Sequence, residues 1–280
     1  VDDKIQAPDA AKLAVHWFES KQNEVAAEVA DLFSKYRLSE ALMAVYKLFW
    51  DEFSSWYLEM IKPAYGQGID RTTYDATLCF LDNLLRLLHP FMPFITEELW
   101  QQMYERNAEE GESLMVSALS MDTYVDTAFV AQFEVVKGVI SNIRSIRLQK
   151  NIAQKEPLDL QVLGENPVAE FNAVIQKMCN LSSITVVESK AEGASSFMVG
   201  TTEYAVPLGN MIDVEAEIAR MEAELKHKEG FLQGVLKKLS NEKFVNNAPA
   251  AVLEMERKKQ ADAESIISSL KESIAALKKA

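Results

Sequence analysis

The feature that most constrains the fold is a pair of prolines, three residues apart, inside the apolar stretch LLRLLHPFMPFITEELW from Leu84 to Trp100. Proline lacks a backbone donor and disfavours helix at the preceding residue, so Pro90 and Pro93 predict a corner between two apolar helices. Four large apolar side chains lie at this corner: Phe91, Met92, Phe94 and Ile95. Leaving all four in water would cost roughly 6 to 12 kcal/mol, so we expect the corner to be buried in the middle of a helical bundle.

Helical spacing extends over the first 112 residues, on both sides of the corner. The pattern predicts at least four helices. They cover Pro8 to Tyr36 with a break near Asn23, Ser39 to Tyr65, Asp70 to His89, and Pro93 or Thr96 to Asn107. Thr96 fits an N-cap because Glu97 and Glu98 would follow it in the first turn of the last helix. The short connections predict an antiparallel bundle over residues 1–112.

The pattern changes beyond residue 126. Residues 127–148 keep helical spacing, and Leu158, Leu160 and Val162 then alternate with polar residues as in a half-buried strand. A short helix over residues 167–181 is predicted next, with strand-like runs at 184–187, 197–199 and 204–206. We therefore predict a small α+β connector over residues 127–210.

A heptad pattern occupies residues 211–280. Apolar positions step alternately by three and four from Ile218 to Leu239, with Lys228 as one interruption, and a second seam runs from Ala263 to Leu277. A turn is predicted from Ser240 to Pro249, where proline suits the start of the second helix. The pattern thus predicts a C-terminal antiparallel coiled-coil hairpin that projects from the body of the protein.

Three segments of the chain resemble one enzyme family. They are LLHPFMPFITEELW at the corner, RLSEALMAVYKLFWDEFSSWYLEMIKP at 37–63 and KKLSNEKFVNNAPAAVLEMERKK at 237–259. The first two are similar to the anticodon-binding helical domain of class I aminoacyl-tRNA synthetases for branched aliphatic amino acids, and the third resembles the coiled-coil arm of the valyl group. The resemblance implies a mainly α fold, tRNA as partner, and a C-terminal part of a longer ligase whose catalytic domain uses ATP and Mg²⁺.

No catalytic, metal or cofactor site is recognisable in the chain itself. The HIGH-like and KMSKS-like motifs of the class I adenylating domain are absent, and there is no glycine-rich phosphate loop. His16, His89 and His227 are not spaced as metal ligands and do not neighbour a nucleophile. Cys79 and Cys179 are expected to be reduced core thiols. We expect this chain alone to catalyse nothing.

The formal net charge of −13 at first argues against a nucleic-acid partner. However, residues 1–110 carry 10 basic and 19 acidic side chains, whereas residues 211–280 carry 12 of each. Local charge matters most, because screening at physiological salt reaches only about 8 Å. The sequence also has no signal pattern and no apolar run of about 20 residues, so we expect a cytoplasmic protein without membrane contact.

Six basic side chains and one aromatic side chain would meet at the tip of the hairpin. They are Lys237, Lys238, Lys243, Arg257, Lys258 and Lys259, with Phe244. Such a cluster can follow a phosphate backbone, and Phe244 could stack on an exposed base. The pattern alone also fits a solvated coiled-coil surface whose turn is closed by Phe244, but the resemblance implies contact with the elbow of tRNA.

Two weaker sets of candidate tRNA contacts lie in the other predicted domains. The first, near the end of the connector helix, is Arg144, Arg147, Lys150 and Lys155. It fits a tRNA contact and, equally, a complement to the helix dipole, although Lys155 lies beyond the helix. The second, in the acidic bundle that should read the anticodon, is Arg37, Lys62 and Arg71, together with Lys47. Trp50, Trp56 and Tyr57 are candidate stacking surfaces there, although their spacing favours the core.

Two other interpretations stay open. A heptad hairpin could dock a partner protein, with Lys228 specifying the register, and such a chain would tend to self-associate through its seam. An isoleucyl or leucyl relative would share the bundle but carry a different C-terminal appendage. We predict a monomer, because an intramolecular hairpin covers its own seam.

Overall fold

The computed structural model describes residues 1–103, 113–117, 123–208 and 214–240, together with single positions and short runs between 253 and 274. It contains two compact units, Val1–Pro207 and Leu208–Ala280. The described part is mostly helical, with one small mixed sheet in the first unit. The division of the first unit into a bundle and a separate connector stays a prediction. No described helix is both long enough and apolar enough to cross a membrane.

The helices of the first unit follow the predicted order. They are α1 (Asp9–Ser34), α2 (Leu38–Lys47), a π-helical segment (Leu48–Tyr57), α3 (Leu58–Ile61), α4 (Arg71–Leu88), α5 (Pro93–Met103), α6 (Thr127–Gln149) and α7 (Asn172–Cys179). Short 3₁₀ turns occupy Leu114–Val116 and Ala169–Phe171. The second predicted helix ends at Ile61 rather than at Tyr65, because Pro63 disfavours helix at the residue before it.

The centre of the bundle is α1, and not the proline corner. Trp17 and Phe18 are fully buried, and the ring of Trp17 lies 4.2 Å from that of Phe133 on α6, between centroids. The Phe18 centroid lies 5.0 to 5.3 Å from those of three further rings: Phe53, Tyr57 and Phe80. Packed aromatic rings of this kind dominate core energetics, so α1 organises the unit.

The break predicted in α1 near Asn23 does not occur. The Gln22 side-chain amide donates to the carbonyl oxygen of Phe80 (2.9 Å), and that of Asn23 donates to the carbonyl oxygen of Tyr124 (2.9 Å). Both polar side chains are buried and satisfied by carbonyl groups outside the helix. A polar pair that suggested a helix end is therefore a tertiary contact.

The prediction of a buried corner is wrong for three of its four apolar residues. Phe94 is 90% exposed, Met92 and Ile95 are about half exposed, and only Phe91 is partly buried. The reason lies in the orientation of α5. This helix packs Thr96 and Trp100 into the core, so Phe94 and Ile95 lie on the face that points to solvent.

The N-cap predicted at Thr96 is also wrong. Helix α5 begins at Pro93, so Thr96 lies inside its first turn. The buried Thr96 hydroxyl donates to the carbonyl oxygen of Met92 (2.8 Å) and lies 2.7 Å from Nδ1 of His89. These contacts hold the corner shut from the inside.

All of the predicted strands are present. They are β1 (Leu158–Leu163), β2 (Leu181–Val187), β3 (Ser195–Val199) and β4 (Thr202–Val206). Their order in the sheet is β2-β1-β4-β3, where β1 and β2 are parallel and the other pairs are antiparallel. Helix α7 connects the two parallel strands. Helix α6 approaches β3 closely at Gly138, where a Cβ atom would lie only 3.0 Å from Cγ1 of Val199.

The second unit contains α8 (Val214–Leu239) and a later helical run whose described positions lie between Leu253 and Ile274. Two ion pairs join them: Glu229 with Lys271 at 2.9 Å, and Lys238 with Glu256 at 3.9 Å. Lys238 lies nearer the C-terminus of α8 than Glu229 does, and its partner Glu256 lies nearer the N-terminus of the later run than Lys271 does. The two ion pairs therefore correspond to helical segments that run antiparallel. Apart from Ser240, the predicted turn from Ser240 to Pro249 lies outside the described residues.

Candidate nucleic-acid interface

Arg144 and Arg147 are one helical turn apart at the end of α6 but lie in opposite environments. Arg144 is exposed, and its guanidinium carbon lies 5.7 Å from the ring centroid of Trp56, within the range of a cation–π contact. Arg147 is only 3% exposed. Of this pair, the structure leaves only Arg144 at the surface for a ligand.

Arg147, for which the sequence left open a tRNA contact or a complement to the helix dipole, is buried instead of lying at the surface. Its guanidinium donates to the carbonyl oxygens of Ala153 (2.9 Å), Cys179 (2.8 Å) and Asn180 (3.3 Å). Burial lowers the pKa of Arg147 from its ordinary value. A buried arginine with three backbone acceptors holds the end of α7 against the loop that follows α6, so its role is structural.

The loop after α6 is fixed from within, and it carries Lys155 at the surface. The side chain of Asn180 donates to the carbonyl oxygens of Gln154 (3.2 Å) and Lys155 (3.0 Å). Asn180 and Asn151 both adopt the left-handed conformation, with φ of 51° and 54°, which asparagine tolerates better than most residues. Lys150 is half-buried and Lys155 is exposed.

Two adjoining clefts open beside this loop, and we call them together the basic cleft. One has a volume of about 400 Å³ and is lined by Glu59, Lys62, Pro63, Ala64, Arg144, Gln154, Lys177 and Met178. The other has a volume of about 640 Å³ and is lined by Arg144, Arg147, Leu148, Asn151, Ile152, Ala153 and Gln154. They share Arg144 and Gln154, so a predicted connector residue, Arg144, and a predicted bundle residue, Lys62, line one continuous surface.

Lys177 is a cleft residue that sequence reasoning missed. Its ammonium donates to the carbonyl oxygen of Met60 (2.6 Å), at the end of α3. Burial lowers the pKa of Lys177, and the attraction of Glu59 opposes this. The sequence offers no signal for it, because one lysine on a short helix is ordinary, and only the fold brings it into the same cleft as Lys62.

The sign of the charge distinguishes the basic cleft from two other clefts of the first unit. Its lining contains four basic residues, Lys62, Arg144, Arg147 and Lys177, and the single acid Glu59. A second cleft on α1 and α2 is lined by Lys21 and Lys47 but also by Glu28, Glu40 and Glu52. A third is lined by Lys12 with Asp9 and Glu170. An anionic ligand would therefore favour the basic cleft over these two.

The three candidate bases of the bundle all have acidic partners. Arg37 Nε lies 2.6 Å from Glu40, Lys62 lies 3.3 Å from Glu59, and Arg71 Nε lies 2.8 Å from Asp3. Arg37 immediately precedes α2, whereas Lys62 follows the end of α3, so these two lie at opposite ends of the bundle. The structure thus brings only Lys62 of this set to the basic cleft.

The candidate stacking residues of the bundle also separate. Tyr57 is fully buried with its hydroxyl 2.8 Å from that of Thr77, and burial raises its pKa to about 12. Trp56 is partly buried beneath Arg144. Trp50 is 59% exposed and its ring is nearly parallel to that of Tyr46, with an interplanar angle of 8°. Of the three, Trp50 presents the most ring surface to solvent.

In the second unit, the buried carboxylate of Glu256 forms ion pairs with two of the predicted tip lysines, Lys238 and Lys259. Glu256 accepts from Lys259 (2.8 Å) and lies 3.9 Å from Lys238, and the hydrogen bond from Lys259 holds the pKa of Glu256 below its ordinary value. The described tip residues Lys237, Lys238, Arg257 and Lys259 are exposed. Lys243, Phe244 and Lys258 lie outside the described residues.

Neither cysteine is in a disulfide, as predicted, but only Cys179 is a core thiol. Cys79 lies on the outer face of α4 and is exposed, so the expectation of a core position is wrong for it. Across the part of the chain that the structure describes, no three histidine, cysteine, aspartate or glutamate side chains come together as a metal site.

Two family models match the chain. The model described as anticodon-binding domain of tRNA ligase matches residues 15–162, and the model described as valyl tRNA synthetase tRNA binding arm matches residues 213–278. Similar curated proteins include the valine–tRNA ligases of Bacteroides thetaiotaomicron (98% identical over the whole chain), Phocaeicola vulgatus (72% over 98% of the chain) and Enterococcus faecalis (35% over 95%). The chain spans about a third of the length of these relatives.

Proposed function

Because the chain belongs to the family of anticodon-binding domains of tRNA ligases, we propose that it is the tRNA-binding C-terminal part of a valine–tRNA ligase. One observation carries the proposal: the anticodon-binding match lies in the first compact unit, and the valyl arm match lies in the second. The arm match favours a valyl enzyme over an isoleucyl or leucyl relative.

The first unit contacts the anticodon side of the tRNA through the basic cleft. Arg144, Lys62 and Lys177 offer donors for backbone phosphates, and phosphate contacts set the position of a nucleic acid. The exposed ring of Trp50 offers a separate surface on which a base can stack. Acidic side chains over the rest of the bundle repel the backbone, so they restrict the places where tRNA can lie.

The second unit is a coiled-coil hairpin whose tip contacts the tRNA elbow. Support comes from the two antiparallel ion pairs and from the burial of Val235, Ala263, Ile267 and Ile274, all at seam positions. Lys237, Lys238, Arg257 and Lys259 supply the exposed positive charge, and Lys243, Phe244 and Lys258 complete the proposed tip. Burial of these seam residues within the hairpin argues against the docking alternative.

In the complete enzyme, this part binds and orients tRNA for a catalytic part that lies outside the chain. That part would bind ATP and Mg²⁺ and activate valine. We propose that the protein acts as a cytoplasmic monomer, and light scattering with and without tRNA tests the oligomeric state. A mass that doubles without tRNA would contradict the monomer.

The experiment that tests the function uses a full-length ligase carrying this sequence. Reversing Lys237, Lys238, Lys258 and Lys259 to glutamate should weaken tRNA binding strongly and should leave valine activation, measured by ATP–pyrophosphate exchange, unchanged. Binding of the unaltered enzyme should also fall steeply with salt, because cations released from the tRNA drive association.

A matched control separates a local effect from a change of net charge. Reversing Lys4, Lys12, Lys35 and Lys190, which are all exposed in the first unit and outside the basic cleft, alters the net charge equally. This control should retain most of the tRNA affinity. Equal losses in both variants, or a loss of valine activation with intact tRNA affinity, would overturn the assignment of the arm.

A further inference from the structure

One end of the helical bundle exposes five large apolar side chains, which we call the apolar end. They are Tyr36, Leu38, Met92, Phe94 and Ile95. Phe94 and Tyr36 are 90% and 89% exposed, and the other three are about half exposed. Single exposed apolar residues are normal, but a group of this kind marks an interaction surface.

The fold brings the members of the apolar end together from two connections. Tyr36 and Leu38 lie where α1 gives way to α2, with Leu38 the first residue of α2, and the other three lie where α4 gives way to α5. Phe33 and Phe91, close to each group in sequence, join the two connections with ring centroids 5.7 Å apart. The apolar end is therefore one region of the surface.

The backbone holds these side chains outward. Tyr36 adopts φ of +56°, in the left-handed region that an aromatic residue rarely occupies, and its amide donates to the carbonyl oxygen of Phe33 (3.0 Å). At the corner, Pro93 starts α5, and the Thr96–His89 contact anchors the first turn from the inner side. The strained backbone of Tyr36 and the solvent exposure of the Tyr36 and Phe94 rings both disfavour the folded state. Their combination therefore points to a function for this surface.

The surrounding charges distinguish between a nucleic acid and a protein as the occupant. The neighbouring bases are already paired: Lys35 with Asp31 at 2.6 Å, and Arg37 with Glu40. An RNA-binding surface needs an excess of positive charge, which is absent among the described residues of this end. The core of a protein interface, in contrast, is poor in charge and rich in aromatic residues and methionine.

We propose that the apolar end packs against the part of the ligase that lies outside this chain. About two-thirds of the length of the curated relatives lies outside the segment that this chain matches. A large protein surface is therefore available in the same polypeptide. The inference rests on the proposed function only in treating the chain as part of a longer ligase. Docking there would hold the tRNA-binding unit in a fixed orientation to that part.

Hydroxyl-radical footprinting of a full-length ligase tests this packing directly. Tyr36, Met92 and Phe94 should be oxidised several-fold less than their exposure in this structure implies. Tyr65 is the matched control, because it is a fully exposed aromatic residue beyond α3, at the opposite end of the bundle. It should be labelled heavily.

Two further arms separate the possible occupants. If tRNA covers the surface, protection of Tyr36 and Phe94 will appear only after tRNA is added; if a second copy covers it, protection will grow with protein concentration. Either result would overturn the proposal, as would labelling equal to that of Tyr65. Because tRNA binding and valine activation are measured separately, each of these results leaves the proposed function standing.

A pair of variants gives a second measurement. Phe94→Ser in the full-length enzyme should raise the labelling of Tyr36 and Met92 several-fold, because it loosens the interface around them. Tyr65→Ser should leave their labelling unchanged. Unchanged labelling in both variants would contradict the packing proposed for Phe94, and footprinting of the unaltered enzyme still decides the question if Phe94→Ser fails to fold.

Discussion

The ammonium of Lys177 donates a hydrogen bond to the carbonyl oxygen of Met60 across 2.6 Å, and this contact joins α7 to the end of α3. It links the strand-containing part of the first unit to the helical bundle. It also fixes a positive charge at the wall of the basic cleft, where a free surface lysine would move between many rotamers. The contact therefore has both a structural and an electrostatic consequence.

Replacement of Lys177 should reveal both consequences. Lys177→Met removes the donor and the charge, so we expect the free energy of unfolding to fall by about 1 kcal/mol. The salt dependence of tRNA binding by the full-length enzyme should weaken by about one unit of slope, as expected for one lost phosphate contact. Lys190→Met, at a lysine outside the cleft, is the control and should leave the slope unchanged.

Arg144 and Arg147 form a matched pair for separating binding from stability. Arg147→Met removes the side-chain donor from three carbonyl oxygens, of which those of Ala153 and Asn180 keep a backbone donor, so we expect the free energy of unfolding in urea to fall by about 2 kcal/mol. Arg144→Met should change stability by less than about 0.5 kcal/mol, because its side chain is exposed, but should weaken tRNA binding. The reverse pattern would show that the two roles are assigned to the wrong residues.

Glu97 should make the stability of the first unit depend on acid pH. Its partial burial raises the pKa, but hydrogen bonds from Gln101 (2.8 Å), Ser113 (2.9 Å) and the Leu114 amide (3.0 Å) outweigh burial and lower the pKa below the ordinary 4.5. A lowered folded-state pKa contributes stability above about pH 4.5, and this contribution is lost as the pH falls through the folded value.

Glu97→Gln should therefore flatten the fall in the free energy of unfolding between about pH 5 and pH 3, and should cost about 1 kcal/mol at pH 7. Urea unfolding at several pH values measures both effects. Glu98→Gln is the control, because this neighbour accepts its hydrogen bond from Gln102 in its own helix, and no described hydrogen bond joins it to residues 113–117. A pH profile unaltered by Glu97→Gln would contradict the role of this carboxylate.

The two thiols should differ sharply in reactivity. Burial raises the pKa of Cys179 to about 12, whereas Cys79 is exposed, although partial burial raises its pKa too. Because the thiolate is the reactive form, the folded 280-residue chain should show one reacting thiol with Ellman's reagent at pH 8. Cys79→Ser should abolish this phase and Cys179→Ser should retain it. Two thiols reacting at equal rates would contradict the burial of Cys179.

The sequence predicted those features that depend on periodicity. Helical spacing located the bundle helices, and alternation at Leu158, Leu160 and Val162 located β1. Periodicity reports which residues of an element face inward, but not which element lies at the centre. For this reason periodicity does not identify α1 as the core of the bundle, and it predicts burial at Phe94, which is exposed.

The candidate site was harder to predict, because burial of a charge depends on backbone groups that are distant in sequence. Arg147 and Arg144 look alike in the sequence, yet Arg147 meets the carbonyl oxygens of Cys179 and Asn180 across the fold. Lys177 enters the cleft only because α7 packs on α3. Neither relationship leaves a pattern in neighbouring residues.

The π-helical segment from Leu48 to Tyr57 is a place where the long second helix can tolerate the deletion of one residue. Two serine hydroxyl groups show the same five-residue spacing as the π-helical backbone. Those of Ser54 and Ser55 donate to the carbonyl oxygens of Phe49 (3.0 Å) and Trp50 (2.9 Å), five residues earlier. Each such turn encloses one residue more than an α-helical turn. Removing one residue here can be absorbed by tightening the coil, whereas the same deletion in α4 would rotate every later side chain by about 100° relative to its neighbours.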